Sequence, residues 1–138
     1  MTTIKSFTDL EQSKILEKIL PPESADSVIV TFGTREGTET VVMPNKTLDI
    51  ISDPFSDIRE TVHCWSLAAL YNVLPNNNRV ETYLSRGGWQ IEPIEYLPDT
   101  WWCEYEDNES LAEFNVSAEN SVDACYAMVL KLNGLGLL

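Results

Sequence analysis

The chain is poor in the residues that perform metal, phosphate and redox chemistry. It contains one histidine, three cysteines and only nine lysines and arginines against 22 acids in 138 residues. The cysteines at 64, 103 and 125 match neither a CxxC metal pair nor a disulfide framework, so they are expected to be reduced, buried thiols. A zinc site would have to gather His63, Cys64, Cys103 and Cys125 from three separate elements without paired ligand spacing, and no metal is expected. The net charge of −13 repels phosphate backbones, which excludes direct nucleic-acid binding through a basic patch. No apolar run approaches the roughly 18 residues that a membrane span needs. The opening "MTTIKSFTDLEQ" has no apolar stretch behind a basic one, so a cytoplasmic location without a membrane partner is expected.

Catalytic motifs are equally sparse. There is no GxSxG turn to expose a serine nucleophile. Gly87-Gly88 precede a strand pattern rather than opening a helix, so no helix N-terminus stands behind them to hold a phosphate. "DNES" at 107–110 lacks the glycine and the terminal glutamate of a calcium loop and reads as a turn. Carboxylate pairs such as Glu92, Glu95, Glu104 and Glu106 could face one another across strands, but 22 acids guarantee such pairs and none singles out a catalytic site. No catalytic residue and no cofactor are assigned.

What is present describes an ordinary globular chain. Hydrophobic residues at 43% and charged residues at 22% are enough to build one core, and residues 1–138 read as a single domain. The charge is uneven: residues 90–123 carry ten acids and no Lys or Arg. Such a face either keeps the protein soluble or docks a basic partner, and in the second case the acids must gather on one side.

"SFTDLEQSKILEKILPP" predicts a helix near 8–20, with Thr8 and Glu11 as a capping box and Pro21-Pro22 as its stop. "DSVIVTFGTREGTETVVMP" switches to period two around a polar turn and predicts a hairpin, part of it covered on both faces. Residues 44–62 show no clean period and read as a connection pinned by Leu48, Ile50, Ile51, Phe55 and Ile58. In "HCWSLAALYNVLP", Ser66 caps a short helix near 66–74 and Pro75 ends it. A strand at 79–84 and a meander over 89–117 follow, and Asn120 caps a largely buried helix over 121–133. The resulting fold class is α+β: an antiparallel sheet of about five to six strands with two to three helices packed on it.

Neighbouring His63 and Cys64 diverge on either a strand or a helix, so they are badly placed to act on one another. A small hydrolase using His63 or Cys64 is therefore a minor alternative to structural roles for both. The aromatics are more suggestive. Strand alternation puts Trp101, Cys103 and Tyr105 on a dry face and Trp102, Glu104 and Glu106 on a wet one. Trp102, Glu104, Glu106 and Trp89 form the candidate interaction surface, because exposed tryptophan anchors protein contacts.

"FTDLEQSKILEKILPPESAD", "CWSLAALYNVLP", the Trp-bearing meander and "NSVDACYAMVLKLNGLGLL" together resemble a group of small proteins of gut bacteria and their prophages. The pattern is more distantly similar to small phage proteins described as ABA sandwiches. These stretches are caps, core stripes and helix stops, so the resemblance implies a fold and carries no active-site residue. The function expected is that of a non-enzymatic accessory protein of prophage or mobile-element origin, homodimeric and acting by protein contact. The alternative is an acidic DNA mimic or inhibitor of a nucleic-acid-binding enzyme, with the carboxylates of residues 92–113 along one exposed stripe at phosphate-like spacing.

Overall fold

The computed structural model describes residues 5–45, 57–86 and 100–138. The chain divides into two compact units, one of Phe7–Ala69 and one joining residues 1–6 to Leu70–Leu138. In place of the expected single sheet, the described residues form two three-stranded antiparallel sheets, one per unit. The α+β class stands, with helices and antiparallel sheet in both.

In the first unit, helix α1 (Leu10–Leu16) precedes strands β1 (Ser27–Thr34), β2 (Gly37–Pro44) and β3 (Ile58–Cys64) in the order β2-β1-β3. The β1–β2 hairpin closes through Arg35-Glu36, and Gly37 holds a φ of 141°, which favours glycine because it has no Cβ to clash. Ser27 to Val30 are all buried, so this stretch of β1 is covered on both faces, as its unbroken apolar run predicts.

Two expectations are corrected here. Asp9, not Thr8, caps α1, and its carboxylate accepts the Gln12 amide at 2.9 Å while the Gln12 side chain receives the Asp9 N–H. Thr8 is buried instead: its hydroxyl accepts the Trp65 amide at 3.1 Å and pairs with Ser13 Oγ at 2.7 Å. Residues 58–62, read as connection, belong to β3, which runs on through His63 and Cys64. A register shift between Thr31 and Phe32 and the exposed Arg59, Glu60 and Thr61 hide its alternation from the sequence. The pinning residues Leu48, Ile50, Ile51 and Phe55 lie outside the described residues.

Trp65 anchors this unit. It is fully buried, and its indole Nε1 donates to Ser24 Oγ at 2.9 Å, so the polar end of a large apolar group is satisfied inside. Leu16, Val28, Val30 and Val62 complete the core, with α1 packed on β3.

Helix α2 (Leu67–Val73) carries the chain onward; Ser66 Oγ receives the Ala69 amide at 3.2 Å, the expected cap. The second unit orders β4 (Val80–Arg86), β5 (Trp101–Asp107) and β6 (Glu113–Ala118) as a β4-β5-β6 meander, with α3 (Ser121–Gly134) on one face. The N-cap expected for α3 is present: Asn120 Oδ1 accepts the Asp123 amide at 2.8 Å, and its Nδ2 donates to the Asp123 carboxylate at 2.8 Å, while the helix runs through Asn133 and Gly134 to a cap at Leu135. Val122, Cys125, Met128, Val129 and Leu132 have no exposure, and they face Val80, Thr82, Cys103 and Tyr105. Asp107 closes the β5–β6 turn: Arg79 grips it with two hydrogen bonds at 3.0 and 3.1 Å, and it accepts the amides of Glu109 and Ser110. These donors hold its carboxyl well below the usual range. No helix among the described residues is long and apolar enough to cross a membrane.

Candidate interaction face

The face of the second sheet away from α3 is a grid of three rows set by strand register. Glu81, Glu106 and Glu113 stand directly opposite one another across β4, β5 and β6. The next row is Tyr83, Glu104 and Asn115, and the third is Ser85, Trp102 and Ser117. Side chains alternate along each strand, so all nine point away from the helix. The other side of the sheet confirms the assignment, since Lys131 of α3 lies 5.3 Å from the Phe114 ring and Tyr105 is 3% exposed.

Four glutamates therefore share one surface that, among the described residues, carries no Lys or Arg. The nearby cations are engaged elsewhere: Arg79 binds Asp107 on the helix side, Arg86 stacks over Trp101 at 5.8 Å, and Lys131 sits over Phe114. Like charges directly opposite each other destabilise a sheet by roughly 0.2–1 kcal/mol per pair. Tyr83 softens the cost, its hydroxyl lying 2.6 Å from Glu81 Oε2 and 2.8 Å from Glu106 Oε2. Its one proton serves the two carboxylates in turn, and the bonds to them raise the phenol well above its usual range.

Trp102, Glu104 and Glu106 are brought together as expected, and Trp89 lies outside the described residues together with Glu92 and Glu95. Trp102 is half-buried rather than fully exposed, and its Nε1 is buried with no acceptor among the described residues. Glu81 and Tyr83 escaped the sequence reading, whereas Glu113 belongs to the stripe of residues 92–113 expected of a mimic; Asp107 of that stripe is held by Arg79 on the helix side instead. Alternation assigns each residue to a face of its own strand, but only register shows that three strands set their glutamates in line.

The face is shallow. A depression between β5 and β6, lined by Glu104, Tyr105, Glu106, Glu113, Phe114 and Asn115, holds about 90 Å³. Small-molecule pockets run to roughly 300–1,000 Å³, so this surface suits a broad partner rather than a metabolite. A wider hollow of about 410 Å³ lies beside Asn77, Arg79, Asp107 and Leu137. Its polar groups are spent on one another: Asn77 Oδ1 accepts the Arg79 and Val80 amides, and Arg79 holds Asp107.

His63 and Cys64 sit elsewhere and do not meet. The His63 side chain is 39% exposed on β3, and one oxygen of Glu17 accepts its backbone N–H at 3.1 Å while lying 3.0 Å from Nδ1. That contact fastens the end of α1 to the strand. Cys64 is fully buried on the opposite side, where burial and, secondarily, the charge of Asp26 push its thiol up to about 12. A thiol so protonated is a poor nucleophile at neutral pH. Among the described residues no group of three His, Cys, Asp or Glu side chains is placed to hold a metal ion.

No protein-family model matches the sequence, and neither does any curated protein or solved structure.

Proposed function

We propose that this chain is a non-enzymatic accessory protein of prophage or mobile-element type that acts by docking a basic partner protein on the glutamate face of its second sheet. The observation that carries the reading is the line Glu81–Glu106–Glu113 with Glu104 beside it. Residues that oppose like charges weaken the fold locally, and such departures from local stability are expected at functional sites. The chemistry selects the partner. A second copy presenting the same face would set carboxylate against carboxylate, so homodimerisation is assigned to another surface. An Arg- or Lys-rich segment neutralises the row and gains long-range attraction from the net charge of −13. The mimic of nucleic acid is a special case, in which that segment belongs to the binding groove of a nucleic-acid enzyme.

The test uses a fluorescently labelled Arg/Lys-rich peptide and two triple variants of equal charge. One carries Glu81→Gln, Glu106→Gln and Glu113→Gln; the other neutralises the exposed Glu11, Glu36 and Glu39 of the first unit. The face variant is expected to bind about tenfold more weakly with a flatter salt dependence, and the control to bind like the parent. Equal weakening in both, or no binding by the parent at low salt, defeats the reading.

A further inference from the structure

The two edges of the first sheet are built differently. β3 loses register with β1 between Thr31 and Phe32, carries the exposed Arg59 and Glu60, and has its His63 amide already bonded to Glu17 of the α1 end at 3.1 Å. Irregular register, charge and a covering helix are the means by which a sheet edge is closed to further strands. β2 has eight residues, against about five to six in an ordinary strand, and keeps unbroken register with β1 from Gly37 to Pro44. Among the described residues its other margin pairs with no strand.

The cover over the sheet also stops at β2. Ile29 and Val30 of β1 are 3% and 0% exposed, while the residues opposite them, Val42 and Val41, are 44% and 40% exposed. These two valines point to opposite faces, so no element laid on one face buries both. A strand added alongside does. Its side chains flank Val41 on one face and Val42 on the other, and its backbone takes up the amides and carbonyls that β2 turns outward. Glu39 sets the chemistry of that strand. It shares a face with Val41 and Met43, it is exposed, and among the described residues no ion pair or hydrogen bond holds its carboxylate. A second copy of this chain brings a net charge of −13 to the same place and is repelled, whereas a cation set opposite Glu39 is attracted.

We propose that β2 is a docking edge for an extended segment of a partner protein, taken up antiparallel as a fourth strand, with apolar side chains opposite Met43 and Val41 and a lysine or arginine opposite Glu39. Antiparallel pairing continues the order of the sheet and is the slightly stronger arrangement. In that direction the segment reads apolar-x-apolar-x-Lys, with the x positions opposite Val42 and Thr40 on the other face. One cation and two apolar residues distinguish it from the Arg- and Lys-rich segment that suits the glutamate face, and neither site depends on the other.

The experiment titrates the full chain into a fluorescently labelled peptide containing Val-Thr-Val-Thr-Lys-Thr and follows anisotropy. The parent is expected to bind it saturably, and to bind the peptide with Glu in place of Lys about fivefold more weakly. Glu39→Lys should reverse that order. Four further peptides, each N-methylated at one of four successive amides, should fall into two alternating classes, because every second amide of an antiparallel strand faces its neighbour. Failure of the parent to bind, equal binding of the Lys and Glu peptides, or N-methylation that acts alike at all four positions would each overturn the proposal. A parent found by sedimentation to be self-associated and taken apart by the peptide would do so as well, since a second copy would then hold β2. The peptide series on the parent protein decide the outcome should Glu39→Lys fail to fold.

Discussion

The central strand of the first sheet buries four residues in succession, Ser27 to Val30, whereas the central strand of the second buries every other one: Cys103, Tyr105 and Asp107. Both sheets have three antiparallel strands, and both carry a deeply buried apolar anchor, Trp65 in one unit and Met128 in the other. They differ in what the second face is for. β1 is covered on both sides over that stretch and spends both on stability. β5 spends one side on α3 and leaves the other to a row of carboxylates that work against the fold. A strand with two dry faces is an interior part; a strand with one dry and one charged face presents something. The contrast separates stabilising residues from residues that the fold merely tolerates.

The comparison breaks most completely at Trp65. Trp65→Ala removes a fully buried ring and leaves Ser24 Oγ without its donor, and should cost about 3–5 kcal/mol. Urea unfolding followed by hydrogen exchange should show the loss concentrated in residues 7–69.

A smaller effect, confined to the second unit, arises in acid. The folded Asp107 carboxyl sits below its ordinary value of 3.8, so its contribution is complete well above that value and fades as the pH falls through it towards the folded value. The melting temperature should therefore decline below about pH 5. Asp107→Asn should melt lower at neutral pH and lose that part of the acid decline, and an unchanged slope would show that other carboxylates govern it.

Glu106→Gln should have the smallest effect and the opposite sign. It relieves repulsion towards both Glu81 and Glu113 while keeping an acceptor for Tyr83, and should raise stability by roughly 0.2–1 kcal/mol, more at low salt. A loss of stability would mean that the row is held together by something other than the tolerance argued here.

Much of this was legible beforehand. The terminal helix with its Asn120 cap, the β1–β2 hairpin and the two-sided character of residues 101–106 all follow from local periodicity and capping chemistry. Pairing was not legible, because alternation reports which face a residue occupies and not which strand lies alongside. That is why one sheet was expected where the described residues form two, and why the stripe of residues 92–113 was expected without Glu81. Thr8 and Asp9 show a second limit. Both are good caps, and the choice fell to Asp9 because the Thr8 hydroxyl is committed to Trp65, 57 residues away. β3 was missed for a third reason: only Val62 and Cys64 of its seven residues are buried, too few to establish a period.

The outer margin of β2 has a consequence of its own. It is the edge strand of its sheet, exposed along nearly its whole length, with Val41 and Val42 at 40% and 44% exposure, and among the described residues nothing but β1 pairs with it. Such an edge is a template on which identical chains can stack into fibres. Glu39 places a charge in the middle of the template and Pro44 removes an amide donor at its end, so each chain carries its own guard against growth into an ordered aggregate.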